Sequence, residues 1–131
     1  MLGFSAGGEV VDAIAYNSGE GNPQAADPID RLNGKPDFII QIYPGPLFIP
    51  DRVPPGAPPA FLIAGNEDTC CSVTVISLLE KYRLAKVSVE AHIIAHADHA
   101  FNMGYRSDLQ SIKSWPELLK NWLLDNKLTS R

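Results

Sequence analysis

Three short apolar runs constrain this chain more than any other feature of its sequence. Phe38-Ile39-Ile40-Gln41-Ile42-Tyr43 and Ala60-Phe61-Leu62-Ile63-Ala64 are too short for helices, rich in β-formers and bounded by prolines or polar turn residues. Each reads as a buried strand. Val87-Ser88-Val89-Glu90-Ala91-His92-Ile93 alternates apolar with polar residues, as a strand with one wetter face does. Helical spacing surrounds these runs, first in Val10, Val11, Ala13 and Ile14 and again in Val73, Ile76, Leu78, Leu79 and Tyr82. A last amphipathic stretch, Leu118, Leu119, Trp122 and Leu123, follows Ser114-Trp115-Pro116-Glu117, a capping-box spacing with proline in the first turn. The order helix, strand, strand, helix, strand, helix predicts an α/β layer fold, with a mostly parallel sheet of about three strands and flanking helices.

The connections are polar or proline-rich. Residues 17–36 show no apolar periodicity, and residues 44–59 hold seven prolines, at 44, 46, 50, 54, 55, 58 and 59. A chain of 131 residues, 45% hydrophobic and 20% charged, suits one domain spanning residues 1–131. The net charge of −4, with no Lys/Arg cluster, removes the electrostatic footprint that a nucleic-acid partner needs. No apolar run approaches the roughly 20 residues of a membrane span, and no basic-then-apolar signal peptide opens the chain. The reading is a soluble chain of undetermined compartment. Cys70 and Cys71 are adjacent, cannot close a loop, and read as ordinary small residues at a helix start.

Chemistry is concentrated at strand ends. In Gly3-Phe4-Ser5-Ala6-Gly7-Gly8, small residues two before and two after the serine permit the tight strand-to-helix turn that lifts a nucleophilic Oγ into a cleft. The following helix aims backbone N–H groups at the same point, and Ala6 N–H is the expected oxyanion donor. Serine needs a base, and the base needs a third group to hold its tautomer. Asp68 follows the run 60–64 by a short turn, and His99 lies in the loop after the run 87–93. The blander readings are a glycine loop before a helix, an aspartate capping the next helix and a solvated loop histidine. The order Ser5, Asp68, His99 is nevertheless the order in which α/β hydrolases supply nucleophile, acid and base.

Beyond the glycine-bracketed serine, Asp27-Pro28-Ile29-Asp30, Lys35-Pro36-Asp37-Phe38, Ile42-Tyr43-Pro44, Phe61-Leu62-Ile63 running to Glu67-Asp68, and His99-Ala100-Phe101 resemble the C-terminal half of α/β-hydrolase esterases of the acetyl-xylan-esterase-like and BD-FAE-like group. Trp115-Pro116 and Trp122-Leu123 resemble that group's last helix. The resemblance implies Ser5 as nucleophile, Asp68 as acid and His99 as base. It further implies a short-acyl or acetyl ester substrate, with acylated carbohydrate as one such class, and no cofactor. Two departures stand out: Thr69-Cys70-Cys71 where the group usually has Pro-Val, and Asp98 and Ala100 where it has glycines.

Only Met1 and Leu2 precede Gly3, so the expected domain starts at the nucleophile elbow. The N-terminal strands, the elbow's own strand and the second oxyanion donor are expected to be missing, as in a truncated esterase. That leaves an uncovered apolar face and an open sheet edge through which a second copy can pair. Two other readings stand beside the esterase. One is an inactive remnant that serves as an interaction module. The other is a metal-dependent hydrolase using His96, Asp98 and His99, with His92 one helical turn earlier. The latter is short of ligands, since the chain has three histidines. His92 falls on the polar side of its strand, where exposure accounts for it.

Overall fold

The computed structural model describes residues 1–129. Its centre is a sheet of four strands, β1 (Leu2–Phe4), β2 (Ile39–Ile42), β3 (Ala60–Gly65) and β4 (Val89–Ile94), lying in chain order and all parallel. Between them run α1 (Ala6–Asn17) and α2 (Ser72–Ala85), and α3 (Gln110–Lys113) and α4 (Trp115–Asp125) follow. Residues 18–38 are irregular apart from one 3-10 turn at Ile29–Arg31, and residues 43–59 form the proline-rich connection.

The strand residues are apolar on both sides because both faces are covered, as parallel sheets require. Gln41 reaches α1, with its Nε2 donating to Asp12 Oδ1 at 2.6 Å. Its neighbours Ile40 and Ile42 therefore point the other way. Ile40 pairs in register with Phe61, whose ring meets Trp122 of α4 at 5.8 Å. So α1 and α4 sit on opposite faces. Helix α2 lies beside α1, since the Tyr16 and Tyr82 hydroxyls hydrogen bond at 3.1 Å. Ile39, Ile42, Phe61, Leu62 and Ile63 are fully buried between these layers.

Four expectations need correction. The elbow does have a strand of its own: Leu2, Gly3 and Phe4 pair with Ile40, Gln41 and Ile42, making four strands rather than about three. Among the described residues neither face of the sheet is bare, because α4 supplies the second layer. The free edge is real, however, since β1 has a neighbour on one side only and Met1 and Leu2 are exposed. The capping box at Ser114 does not form. The short α3 runs straight into Ser114, which is itself helical (φ −95°, ψ −5°), so its hydroxyl turns back to the Ser111 carbonyl at 3.2 Å. Finally, β4 has no distinctly wetter face, since all six of its residues are half-buried. His92 packs on Phe61 with ring centroids 5.3 Å apart and pairs with Glu90 at 2.8 Å, so exposure does not account for it.

Candidate active site

Ser5 stands between β1 and α1 with φ 51° and ψ −122°, a backbone shape that costs a non-glycine residue energy and persists only where neighbours enforce it. Three hydrogen bonds enforce it here: Ser5 N–H to Ile42 O at 2.9 Å, and Gly8 N–H and Gly45 N–H to Ser5 O at 2.8 and 3.3 Å. The turn also needs glycines, though not all those the sequence pattern picked. A Cβ on Gly3 would run into the Gly7 carbonyl, and one on Gly8 would lie 2.6 Å from Pro44 Cβ, whereas one on Gly7 would meet nothing within 4 Å. Ala6 opens α1 directly after Ser5, so its N–H has no acceptor within the helix.

Asp68 and His99 arrive from the ends of β3 and β4. Their turns are stitched together by Asn66 N–H to Ile94 O at 2.8 Å and Glu67 N–H to Ala97 O at 2.9 Å. Ser5 Oγ then lies 2.9 Å from His99 Nε2, and His99 Nδ1 lies 2.7 Å from Asp68 Oδ2. Asp68 is 1% exposed and the His99 side chain 33%, so the chain of three runs from the interior to the surface. Asp68 Oδ1 accepts from Cys70 N–H and Cys71 N–H, each at 3.1 Å. Asp68 therefore serves two partners, the turn that leads into α2 through Oδ1 and the His99 ring through Oδ2, while the N-cap of α2 is Cys71.

Several residues that sequence reasoning passed over complete the site. Tyr43, with φ 41° at the end of β2, lays its ring 4.6 Å from that of His99. Its hydroxyl accepts from Asn102 N–H at 3.2 Å, while Trp115 Nε1 donates to Asn102 O at 3.0 Å. Burial raises the Tyr43 pKa above the ordinary phenol value. The signal was present, since Tyr43 ends a predicted strand next to the elbow. Cys70 and Cys71 are joined by a disulfide, contrary to their reading as ordinary small residues. Adjacency forbids a stabilising loop but not the bond.

The alternative metal-binding string does not assemble. His96, with its side chain 81% exposed, pairs with Glu67 at 3.4 Å, and Asp98 Oδ1 accepts the His99 backbone N–H at 2.7 Å. Among the described residues the grouping with metal-ligand spacing is Asp68, Cys71 and His99, and there the sulfur is in the disulfide. The cavity of about 340 Å³ lined by Asp51, Arg52, Val53, Lys81, Leu84 and Ala85 includes none of Ser5, Asp68 or His99. No helix is long and apolar enough to cross a membrane among the described residues.

No family model and no curated protein matches the sequence. Solved structures do match. An acetyl ester-xyloside bifunctional hydrolase from Caldicellulosiruptor lactoaceticus is 26% identical with a TM-score of 0.84, over 98% of this chain and 57% of its own. A thermophilic esterase from Thermogutta terrifontis, solved with propionate bound, is 19% identical with a TM-score of 0.76, over 99% of this chain and 56% of its own. A carboxylesterase from Lactobacillus plantarum WCFS1 is 20% identical with a TM-score of 0.73, over 99% and 59%. This chain thus has the α/β-hydrolase fold and spans rather more than half the length of these solved enzymes.

Proposed function

We propose that the protein is a serine hydrolase that cleaves small carboxylic esters by acyl transfer, in the single partial domain that residues 1–131 form. The observation that carries this is the hydrogen-bonded sequence Ser5, His99, Asp68, with the serine on a strained turn. Ser5 Oγ attacks the ester carbonyl while His99 Nε2 takes its proton. Asp68 fixes the tautomer with hydrogen on Nδ1 and stabilises the imidazolium that forms. Ala6 N–H donates to the oxyanion of the tetrahedral intermediate. His99 returns the proton to the departing alcohol, and water then releases the acyl group by the same steps. No cofactor takes part in this scheme.

Short acyl groups are the substrate class we infer, with acetylated carbohydrate as the leading example. The Caldicellulosiruptor neighbour acts on an acetyl ester, and the Thermogutta neighbour holds propionate. Leu47 and Phe48 are exposed on the loop whose Gly45 lies against Ser5, and they offer an apolar surface for a small acyl chain.

The test is covalent labelling. The Thermogutta esterase is phosphonylated by sarin, so a fluorophosphonate is the natural probe. Mass spectrometry is expected to find the label on Ser5, with none on Ser5→Ala and little on His99→Ala. A folded chain that leaves Ser5 unlabelled sinks the reading.

A further inference from the structure

Asp68 is held through both of its oxygens. Oδ2 faces His99 Nδ1 at 2.7 Å, and Oδ1 accepts the N–H groups of Cys70 and Cys71 at 3.1 Å each. Those two N–H groups belong to the two residues of the disulfide, which closes a small ring around the peptide unit between them. The ring limits how far one N–H can turn relative to the other, and so keeps both aimed at the carboxylate. The two sulfurs differ in access, since Cys70 is exposed and Cys71 is fully buried at the start of α2. Cys71 Sγ also lies within 4.8 Å of a carboxylate oxygen of Asp68 and a ring nitrogen of His99.

We propose that the Cys70–Cys71 pair is a thiol-exchange site that sets the strength of the Asp68–His99 contact. Small thiols and dithiols are its exchange partners. Its effect on rate rests on the serine-hydrolase reading, whereas the exchange chemistry does not. A thiolate attacks the exposed Cys70 Sγ, the sulfur–sulfur bond breaks, and Cys71 leaves as a thiolate that takes a proton. Cys70 then carries a mixed disulfide. A second thiolate attacks the outer sulfur, Cys70 leaves and is protonated, and the two small thiols depart as their own disulfide. Two electrons have passed from the small thiols to the protein, and a small disulfide reverses the sequence. In the reduced state the ring is open and the two N–H groups are free to turn. The buried Cys71 S–H, as a weak donor, competes with His99 for the Asp68 carboxylate.

Thiol titration of the denatured chain, before and after dithiothreitol, tests the bond itself. No free thiol before and both cysteines after treatment is the expected result. Both thiols free without reductant, or a disulfide between chains on a non-reducing gel, overturns the proposal. Fluorophosphonate labelling of Ser5 tests the consequence, with an expected slowing of roughly three- to tenfold on reduction, the scale of one weakened hydrogen bond, and recovery on reoxidation. Cys70→Ser is expected to label at the reduced rate whether or not dithiothreitol is present. The proton NMR signal of His99 Nδ1–H is expected to move between the two redox states. A chain that never labels, while its thiols titrate and that signal moves, ends the hydrolase reading and keeps the exchange site. Equal labelling rates and an unmoved signal in the two states end the exchange site and keep the hydrolase.

Discussion

Around Ser5, single atoms decide which glycines are replaceable. Gly7 has open space where a Cβ would go and lies in the first turn of α1, so Gly7→Ala is expected to fold and gain up to about 1 kcal/mol of helix propensity. Gly8→Ala drives a Cβ to 2.6 Å from Pro44 Cβ and is expected to lose about 1–3 kcal/mol. Thermal melts of the two variants check this, and equal melting points would contradict it. The glycine-bracketed serine was therefore legible in the sequence, but the reason for one bracket was not. The pattern assigns Gly7 a steric duty that belongs to Gly8, because Pro44 reaches the turn from a distant part of the chain. The disulfide was illegible for a similar reason, since nothing in two neighbouring cysteines says which way their sulfurs point. Asp68 was better marked. Its position after an apolar run located it, although only the structure shows the carboxylate serving the turn and the imidazole at once.

Strand ends were the most readable elements, and the loop that carries His99 was the least. That loop has positive φ at His96, Ala100, Asn102 and Gly104, so no local preference shapes it. It is held from outside at Asn102, whose N–H meets the Tyr43 hydroxyl and whose carbonyl meets the Trp115 indole. Tyr43→Phe keeps the ring against His99 but leaves the Asn102 N–H without its acceptor. The expected cost is about 1 kcal/mol in urea unfolding, with slower labelling of Ser5. Tyr43→Leu removes the ring as well and is expected to slow labelling further. Labelling at the wild-type rate in Tyr43→Leu would show that the loop holds itself. Tertiary partners likewise explain the strand that the sequence concealed. Three residues are too few to show alternation, and β1 exists because Ile40 N–H donates to Met1 O and Ser5 N–H to Ile42 O, each at 2.9 Å. At Ser114 the capping signal was plain and misleading, since a preceding helical turn had already taken the residue.

For the molecule as a whole, the least expected feature is the carboxyl buried between α1 and the sheet. Asp12 is 0% exposed, and its Oδ1 accepts from Gln41 Nε2, which also reaches Gly8 O at 3.4 Å. This pair ties the helix that carries Ala6 to the strand beside the elbow. Its cost is electrostatic. Burial, helped by the negative charge of Glu9, outweighs the hydrogen bonds from Gln41 and Tyr16 and raises the Asp12 pKa from 3.8 to about 7. The folded chain therefore keeps a proton there that the unfolded chain loses above about pH 4. Stability from this group is whole below pH 3.8, falls as pH rises toward about 7, and levels off beyond, for a loss on the order of 4 kcal/mol. Asp12→Asn keeps an oxygen for Gln41 and carries no charge. It is expected to abolish that slope, so that the variant exceeds the wild type in stability at pH 8 and draws level with it near pH 4. Urea unfolding of both proteins across this range isolates the effect, because every other carboxylate is common to the two. Parallel curves would mean that Asp12 ionises freely in the folded chain and that the interior near Gln41 is wetter than its burial implies.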